Sequence, residues 1–219
     1  MDEIKLVGID ADDTLWQSET FFAEVEEKFI ELMSKYSSET GLEESLSSNE
    51  ITNLRVFGYG VKSFTLSMIE TAHLASGGNI ASSDIKQIIS WGKELLQHPV
   101  ILLDGVEEAI RELTSDFTVY IVTKGDLLHQ RSKIEDSGLD KLVAGFDIFH
   151  EKDPESYLDF LTEKNIDPKN FLMAGNSLRS DVLPIVAIGG HAVHIPYELT
   201  WDYETVSYTH LTLPTTPYV

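Results

Sequence analysis

The chain begins with a short hydrophobic run at residues 4–9, Ile-Lys-Leu-Val-Gly-Ile, which ends in an acid-rich turn. A run of this length that is bounded by a turn predicts a buried β-strand that leads into a loop. From Gln17 to about His98 the apolar residues recur at helical spacing, and no strand-like alternation interrupts them. The pattern therefore predicts a helical unit of about eighty residues directly after the first strand.

The helical unit contains three stretches in which apolar residues fall on one face of a helix. Turn-forming residues at 37–41, 45–49 and 76–79 separate these stretches, and the pair Ser82-Ser83 predicts a helix start before Ile85. Such stripes indicate packing in a hydrophobic core and not a binding surface. The apolar positions are Phe21, Phe22, Val25, Phe29, Ile30 and Met33, then Val61, Phe64, Met68 and Ile69, then Ile85, Ile88, Ile89, Leu95 and Leu96.

Beyond Val100 the pattern changes to strands that alternate with helices. Strands separated by helices predict a parallel sheet that is covered on both faces. The first strand must join this sheet, because a single strand has no other partner, and the helical unit is then an insertion. The strand candidates are 118–122, 146–150, 171–174 and 192–195, and the helix candidates are 106–113, 127–137, 156–164 and 178–188.

The predicted fold class is therefore α/β, a doubly wound, Rossmann-like parallel sheet with an inserted α-helical cap domain. We assign residues 1–16 and 99–206 to the core and residues 17–98 to the cap. The last stretch, residues 207–219, has no charged residue, four threonines and two prolines, and it continues neither pattern. We expect it to be a disordered or non-native tail that carries no function.

Thirty-seven acidic residues against sixteen basic ones give a formal net charge of −21. Such a surface repels phosphate backbones, so no nucleic-acid partner is expected, and a phosphate site would need local positive charge. Cysteine is absent, which excludes disulfides and thiolate metal sites. The N-terminus lacks the charge of a signal peptide, and Pro184 and the Gly189-Gly190 pair interrupt the apolar stretch 182–193. We expect a cytoplasmic protein without a membrane partner, and the sequence predicts no particular oligomeric state.

Polar residues follow four of the predicted strands, and ligands in doubly wound folds bind at the carboxyl ends of the strands. Each of these residues alone has a structural explanation, as a turn residue, a helix cap or a solvated charge. Four strand ends in succession, however, offer an acid pair, a hydroxyl, a lysine, and an amide with an acid. These groups are Asp10, Asp12, Asp13 and Thr14, then Thr123 and Lys124, then Lys152, then Asn176, Ser177 and Asp181.

This set of groups suits the transfer of a phosphoryl group. A carboxylate and a phosphate group repel each other, by about 4 kcal/mol at 4 Å with an effective dielectric constant near 20, and a bridging divalent cation removes that barrier. Oxygen ligands favour Mg²⁺, and no cysteine cluster or two-histidine helix offers a zinc site. Asp10 can act as the nucleophile, and Asp12 can protonate the leaving alcohol and later activate water. A lysine such as Lys152 can supply the remaining positive charge.

In this order, over residues 4 to about 204, the motifs resemble those of the haloacid dehalogenase-like (HAD) superfamily. The hydrophobic strand with Asp10-x-Asp12-x-Thr14-Leu15 resembles the first motif. The helical unit between the first and second motifs resembles the α-helical cap of the phosphoglycolate-phosphatase-like branch. The other three motifs are matched by Thr123, by Lys152, and by Gly175-Asn176-Ser177 with Asp181.

The resemblance implies a phosphatase that forms an aspartyl-phosphate on Asp10 and uses Asp12 as its general acid/base. It also implies Mg²⁺ as the cofactor and a small phosphorylated metabolite as the substrate. The implied ligands of Mg²⁺ are Asp10, Asp12 through its backbone carbonyl, Asn176 and Asp181, and the implied phosphate-binding residues are Thr123, Lys124 through its backbone amide, and Lys152.

The main departure from the family pattern is Asn176, where the family usually has Asp, and Asp153 in place of proline after Lys152 is a smaller one. An amide oxygen can coordinate Mg²⁺ but brings no charge, so Asp181 would have to be the anionic ligand. Two other functions stay open. A 2-haloacid dehalogenase resembles this pattern but lacks the second acid, Asp12, and needs no metal. A phospho-receiver or binding module is usually near half this length, and a catalytically inactive scaffold is a further alternative because of Asn176.

Overall fold

The computed structural model describes residues 3–36, 41–199 and 201–204. At the centre of the described part lies a sheet of five parallel strands in the order β3-β2-β1-β4-β5. This architecture confirms the predicted α/β fold class, and the first strand joins the sheet as expected. The strands are β1 (Leu6–Ile9), β2 (Thr118–Lys124), β3 (Gly145–Phe149), β4 (Phe171–Gly175) and β5 (His191–His194).

Helices cover both faces of the sheet. Successive side chains of a strand point to opposite faces, so Val7 and Ile9 of β1 pack in one hydrophobic cluster and Leu6 packs in another. The first cluster includes residues of α5 and α6, and the second includes residues of α7 and α8. These helices are α5 (Val106–Asp116), α6 (Leu127–Ser137), α7 (Pro154–Lys164) and α8 (Leu183–Ala187).

Four further helices lie between β1 and α5 and pack on one another around a hydrophobic cluster of their own. No residue of this cluster belongs to the sheet. Helix α4 starts at Ser82, as the serine pair predicts. The four helices are α1 (Glu19–Met33), α2 (Leu42–Phe57), α3 (Val61–Ala75) and α4 (Ser82–Leu96).

The turn predicted at residues 45–49 is wrong, because these residues lie inside α2. Serine and asparagine are weak helix formers on their own, but here tertiary contacts outweigh that preference. Leu46 is fully buried, and Asn49 Nδ2 donates a hydrogen bond to Thr71 Oγ1 of α3 at 2.8 Å. One of the polar residues that suggested a turn, Asn49, therefore serves as a partner of the neighbouring helix.

The helix predicted over residues 178–188 divides into a π-helical turn, Leu178–Val182, and the short helix α8. Pro184 explains the division, since proline has no N–H to donate to the carbonyl of residue 180 and its ring crowds that carbonyl. The Ser180 carbonyl instead accepts a hydrogen bond from the Tyr157 hydroxyl at 3.1 Å. Such π turns are frequent at functional sites, and this one carries the fully buried Asp181.

The other strands and helices predicted for the core begin and end within three residues of those observed, whereas α2 is missing from the three stretches predicted for the helical unit. Helix α7 begins at Pro154 because the carboxylate of Asp153 accepts the N–H of Ser156 at 2.8 Å and caps the helix. The predicted tail, residues 207–219, lies outside the described residues. In the part of the chain that the structure describes, no helix combines the length and the apolar character needed to cross a bilayer.

Candidate active site

The carboxyl ends of β1, β2 and β4 and the loop after β3 meet at one edge of the sheet. They face helices α1, α2 and α3 across a cavity of about 190 Å³. Sites for drug-sized ligands usually measure about 300–1,000 Å³, so this cavity suits a small ligand. All seven residues predicted for the site line the cavity, namely Asp10, Asp12, Thr123, Lys124, Lys152, Asn176 and Asp181.

A buried ammonium group joins two buried carboxylates in this cavity. Lys152 Nζ donates hydrogen bonds to Asp10 and, at 2.7 Å, to Asp181 Oδ1. Burial and then the neighbouring Asp181 raise the pKa of Asp10 to about 7, although Lys152 acts in the opposite direction. Burial alone would lower the pKa of Lys152, but the two carboxylates raise it above its ordinary value. The positive charge of Lys152 thus faces the two acids Asp10 and Asp181. When both acids are ionised, the cluster has a net negative charge, which favours the binding of a further cation.

Gly175, at the end of β4, allows the two acids to approach the backbone closely. A Cβ atom at this position would lie 2.2 Å from Asp181 Oδ2 and 2.8 Å from the Cβ atom of Asp10. Asp181 Oδ2 also accepts the backbone N–H of Ser177 at 3.0 Å. The glycine and the turn after it therefore fix where the Asp181 carboxylate stands.

Asp12 lines the same cavity but has a separate set of hydrogen-bond partners. Its Oδ1 atom accepts from Lys133 Nζ at 2.6 Å and from Trp16 Nε1 at 2.7 Å. Its Oδ2 atom accepts from Gln130 Nε2 at 2.9 Å. Burial by itself raises the pKa of Asp12, but the charge of Lys133 and the three hydrogen bonds lower it below its ordinary value. In the absence of substrate, the carboxyl group of Asp12 is therefore held in its ionised form.

Thr123 is buried at the end of β2, and its hydroxyl contacts the same glutamine. Gln130 Nε2 donates to Thr123 Oγ1 at 2.8 Å and to the carbonyl of Lys124 at 3.1 Å. The next residue, Gly125, has a φ of 139°, which favours glycine. A Cβ atom there would lie 3.1 Å from Gln130 Cγ. The loop after β2 is therefore folded tightly against Gln130.

The side chain of Lys124 contacts the C-terminal part of the described chain. Its Nζ atom donates to Glu204 and, at 2.8 Å, to Ser180 Oγ, and it lies 4.2 Å from the centre of the Tyr59 ring. Burial by itself raises the pKa of Glu204, but Lys124 and two serine hydroxyls hold it below its ordinary value. The backbone amide of Lys124, which is the group that the family resemblance implicates, is not part of this ion pair.

Asn176 is held through its backbone, while its side chain lines the cavity. Its N–H donates to Thr14 Oγ1 at 3.1 Å, and its carbonyl pairs with His194 Nε2 at 2.9 Å. Asp13, in contrast, has a local structural role, with a φ of 60° that aspartate tolerates in a turn. Its carboxylate accepts the backbone N–H groups at the start of α1.

The wall contributed by the helical unit is acidic and aromatic. Glu19, Glu26 and Glu50 line it together with Phe22 and Phe64. Burial raises the pKa of Glu50, and the charges of Glu26 and Glu19 raise it further, to about 8. Among the described residues of α1, α2 and α3 that line the cavity, none is a lysine, an arginine or a histidine. This wall therefore disfavours a negatively charged group.

The oxygen donors in the cavity fit Mg²⁺. This ion is usually bound by one or two carboxylates and keeps several waters, and Asp10 and Asp181 supply two carboxylates beside the amide of Asn176. Within the described ranges, no group of three His, Asp or Glu side chains is arranged to bind a metal ion without other ligands. The remaining ligands would therefore be carbonyl oxygens and water, which Mg²⁺ accepts.

Gln130, Lys133 and Glu204 contact predicted site residues but are missing from the sequence-based prediction. Gln130 and Lys133 stand three apart on α6 and therefore on one face of the helix. That spacing is visible in the sequence, but which face of α6 meets Asp12 depends on how the helix packs on the sheet. Glu204 lies 80 residues after its partner Lys124, and no pattern in the sequence connects the two.

Comparisons with known proteins agree on one family. A sequence model of haloacid dehalogenase-like hydrolases matches residues 4–189. The chain is also similar to the crystal structure of a haloacid dehalogenase-like family hydrolase from Xanthomonas campestris. The two share 45% identity with a TM-score of 0.85, and the match covers 89% of this chain and 82% of that one. A comparison with curated proteins gives no match.

More distant structures share the fold. One is a predicted phosphoglycolate phosphatase from Haemophilus somnus, with 18% identity, a TM-score of 0.63 and coverage of 90% of this chain and 87% of that one. Another is a HAD-hydrolase from Bacillus subtilis bound to magnesium, with 19% identity, a TM-score of 0.61 and coverage of 87% and 86%. Solved dehalogenases also have this fold. The fold by itself therefore does not separate phosphate-ester hydrolysis from dehalogenation.

Proposed function

Because the chain belongs to the haloacid dehalogenase-like hydrolase family, we propose that it is a phosphatase that hydrolyses a small phosphomonoester with Mg²⁺ as its cofactor. The observation that carries the proposal is a second acid, Asp12, which lines the same cavity as Asp10. A dehalogenase of this pattern lacks that acid. The small cavity and its buried lysine, Lys152, support a small phosphorylated metabolite as the substrate.

In the first proposed step, a carboxylate oxygen of Asp10 attacks the phosphorus atom, and the bond from phosphorus to the leaving oxygen breaks. Asp12 transfers its proton to that oxygen, so the leaving group departs as a neutral alcohol. The negative charge of the bound phosphate favours the protonated form of Asp12 and offsets the lowering effect of Lys133. Thr123, the amide of Lys124 and the ammonium of Lys152 would hold the other phosphoryl oxygens.

In the second proposed step, Asp12 accepts a proton from water while the water oxygen attacks phosphorus. The bond between phosphorus and Asp10 then breaks, which releases inorganic phosphate and restores both acids. Asp10, Asp181 and the amide of Asn176 would hold Mg²⁺, together with the backbone carbonyl of Asp12. When bound, the ion would offset the repulsion between the nucleophile and the phosphate and orient the phosphoryl oxygens.

The proposal is tested by measuring phosphate release from p-nitrophenyl phosphate and from a panel of sugar phosphates, nucleotides, phosphoglycolate and flavin mononucleotide. We expect activity that requires Mg²⁺ and stops with EDTA. Asp10→Asn should be inactive, because an amide is not a nucleophile toward phosphorus. Asp116→Asn is the matched control, since Asp116 is exposed at the end of α5, and it should keep full activity.

A parallel assay follows chloride release from chloroacetate without added metal. If the protein turns over chloroacetate and releases phosphate from no ester in the panel, its function is that of a dehalogenase and not of a phosphatase. If Asp10→Asn keeps the activity that the wild-type protein shows, this carboxylate is not the nucleophile. Inactivity of the wild-type protein in both assays would reject the enzyme proposal and favour the binding module or the inactive scaffold.

A further inference from the structure

Helix α6 brings two polar side chains to the Asp12 carboxylate from more than a hundred residues away. Lys133 Nζ lies 2.6 Å from Asp12 Oδ1, and Gln130 Nε2 lies 2.9 Å from Asp12 Oδ2. Gln130 is 2% exposed, and the side chain of Lys133 is 13% exposed. Both residues line the cavity of the candidate active site. The side chain of Asp12 itself is 30% exposed, but its donors are largely buried, and the contacts can hold the carboxylate in one orientation.

The hydrogen bonds occupy the two oxygens of Asp12 unequally. Oδ1 accepts from both Lys133 and Trp16, and Oδ2 accepts from Gln130 alone. A carboxylate oxygen has about two lone-pair sites. Oδ1 is therefore fully occupied, while Oδ2 keeps one site. Oδ2 is the oxygen that can exchange a proton with another molecule in the cavity.

Gln130 also ties this orientation to the loop that follows β2. The same Nε2 group contacts Thr123 Oγ1 at 2.8 Å and the Lys124 carbonyl at 3.1 Å. Thr123 and Lys124 are the residues expected to hold the phosphoryl group. One buried amide, with two N–H groups shared among three acceptors, therefore connects Oδ2 of Asp12 to the loop that is expected to hold the phosphate.

We propose that Lys133 and Gln130 are positioning residues that present Oδ2 of Asp12 to the leaving oxygen of the substrate. This inference rests on the proposed phosphatase function and extends it, because it names the groups on which proton donation depends. The two residues act through Asp12 and form no bond with the reacting atoms. Without Lys133 the Asp12 carboxylate keeps only the hydrogen bonds from Trp16 and Gln130, so it is held less firmly and proton transfer loses part of its alignment.

Two esters of similar size distinguish this role from a general structural one. Benzyl phosphate releases a poor leaving group that needs a proton, and p-nitrophenyl phosphate releases a stable phenolate that does not. The quantity to measure is kcat/KM, because it reports the steps up to departure of the leaving group and leaves out the later hydrolysis of the intermediate. Circular dichroism and the urea midpoint of each variant show whether it is folded.

For Lys133→Met we expect kcat/KM on benzyl phosphate to fall by about 10- to 100-fold, since general acid catalysis contributes about 10²–10⁴. On p-nitrophenyl phosphate we expect a loss below about threefold. Lys133→Gln should show the same selectivity, and Lys133→Arg, which keeps the charge and the donors, should restore most activity on benzyl phosphate. Arg131→Met is the matched control, because Arg131 is exposed on α6 and pairs with Glu135; it should leave both rates unchanged.

An equal loss on the two esters in Lys133→Met or Lys133→Gln would overturn the proposal, because it would indicate phosphate binding or a structural role. A further loss when Lys133→Met is added to Asp12→Asn would also overturn it, since a residue that acts through Asp12 has no effect once that acid is absent. If wild-type protein releases phosphate from no ester of the panel with Mg²⁺, these two esters included, the proposed function itself fails, and the inference fails with it.

Discussion

Replacing Lys152 by Met removes an ammonium group that contacts both Asp10 and Asp181. Only 2% of the lysine side chain is exposed, and the partner side chains are 9% and 0% exposed. Water therefore cannot take the place of the lost hydrogen bonds. Methionine has a similar length and fills the space, so the change tests charge and not cavity formation.

Removing one partner of a buried ion pair usually costs about 3–5 kcal/mol, because the other charge is left buried and unpaired. We expect the free energy of unfolding of Lys152→Met to be lower than that of wild type by this amount at pH 8 in the absence of metal. A change of 1 kcal/mol shifts the melting temperature of a protein of this size by about 2–4 °C. The variant should therefore melt about 6–20 °C below wild type.

The loss should also depend on pH. The pKa of Asp10 in the folded wild-type protein is raised to about 7, and removal of Lys152 raises it further because the lysine lowers it. A carboxyl group whose pKa is raised by folding favours the folded state at low pH, and this contribution is lost as the pH rises through the folded pKa. The difference between variant and wild type should accordingly be smaller at pH 5 than at pH 8.

Urea unfolding in EDTA at both pH values measures these free energies. The matched control is Lys169→Met, because Lys169 and its partner Asp167 are each about half exposed and 3.5 Å apart. It should change the unfolding free energy by less than about 0.5 kcal/mol. If the free energy of unfolding of Lys152→Met stays within about 1 kcal/mol of that of wild type at pH 8, the buried ion pair stabilises the fold no more than an exposed pair does. The reasoning about the buried cluster is then refuted.

The remaining predictions concern the metal, the backbone at Gly175 and the leaving group. Because Asp10 must be ionised to bind a cation and its pKa is about 7, calorimetry should show Mg²⁺ affinity rising between about pH 6 and 8; a constant affinity would contradict this. Asn176→Asp adds an anionic ligand and should keep or improve that affinity, whereas a large loss of activity would mean that the amide is needed for another reason. Gly175→Ala should lower kcat/KM by about 100-fold, because its Cβ atom would displace the Asp181 carboxylate; a folded, fully active variant would contradict this. Esters with a second anionic group, such as phosphoglycolate, should have a kcat/KM about tenfold or more below that of ethyl phosphate, and Glu50→Gln should reduce the difference above about pH 8, where Glu50 is ionised.

The arrangement of strand ends shows how far sequence reasoning reaches at this site. Asp10, Thr123 and Asn176 each follow an apolar run, and the carboxyl ends of parallel strands lie at one edge of a sheet. Burial pattern and chain order therefore suffice to place these residues in one cavity. The same reasoning does not give the partners of Asp12, because Gln130 and Lys133 reach it only through the rotation of α6 on the sheet.

The sequence by itself determined the alternation of strands and helices, the insertion of the helical unit after β1, and the set of chemical groups at the sheet edge. These properties depend on local periodicity and on chain order, and both can be read without coordinates. Pro184, in contrast, divides the last predicted helix through its own covalent structure. Tertiary structure alone decided that residues 45–49 are helical and which donors surround each carboxylate. Differences in helix propensity are below about 1 kcal/mol per residue, so contacts between distant segments outweigh them wherever the two disagree.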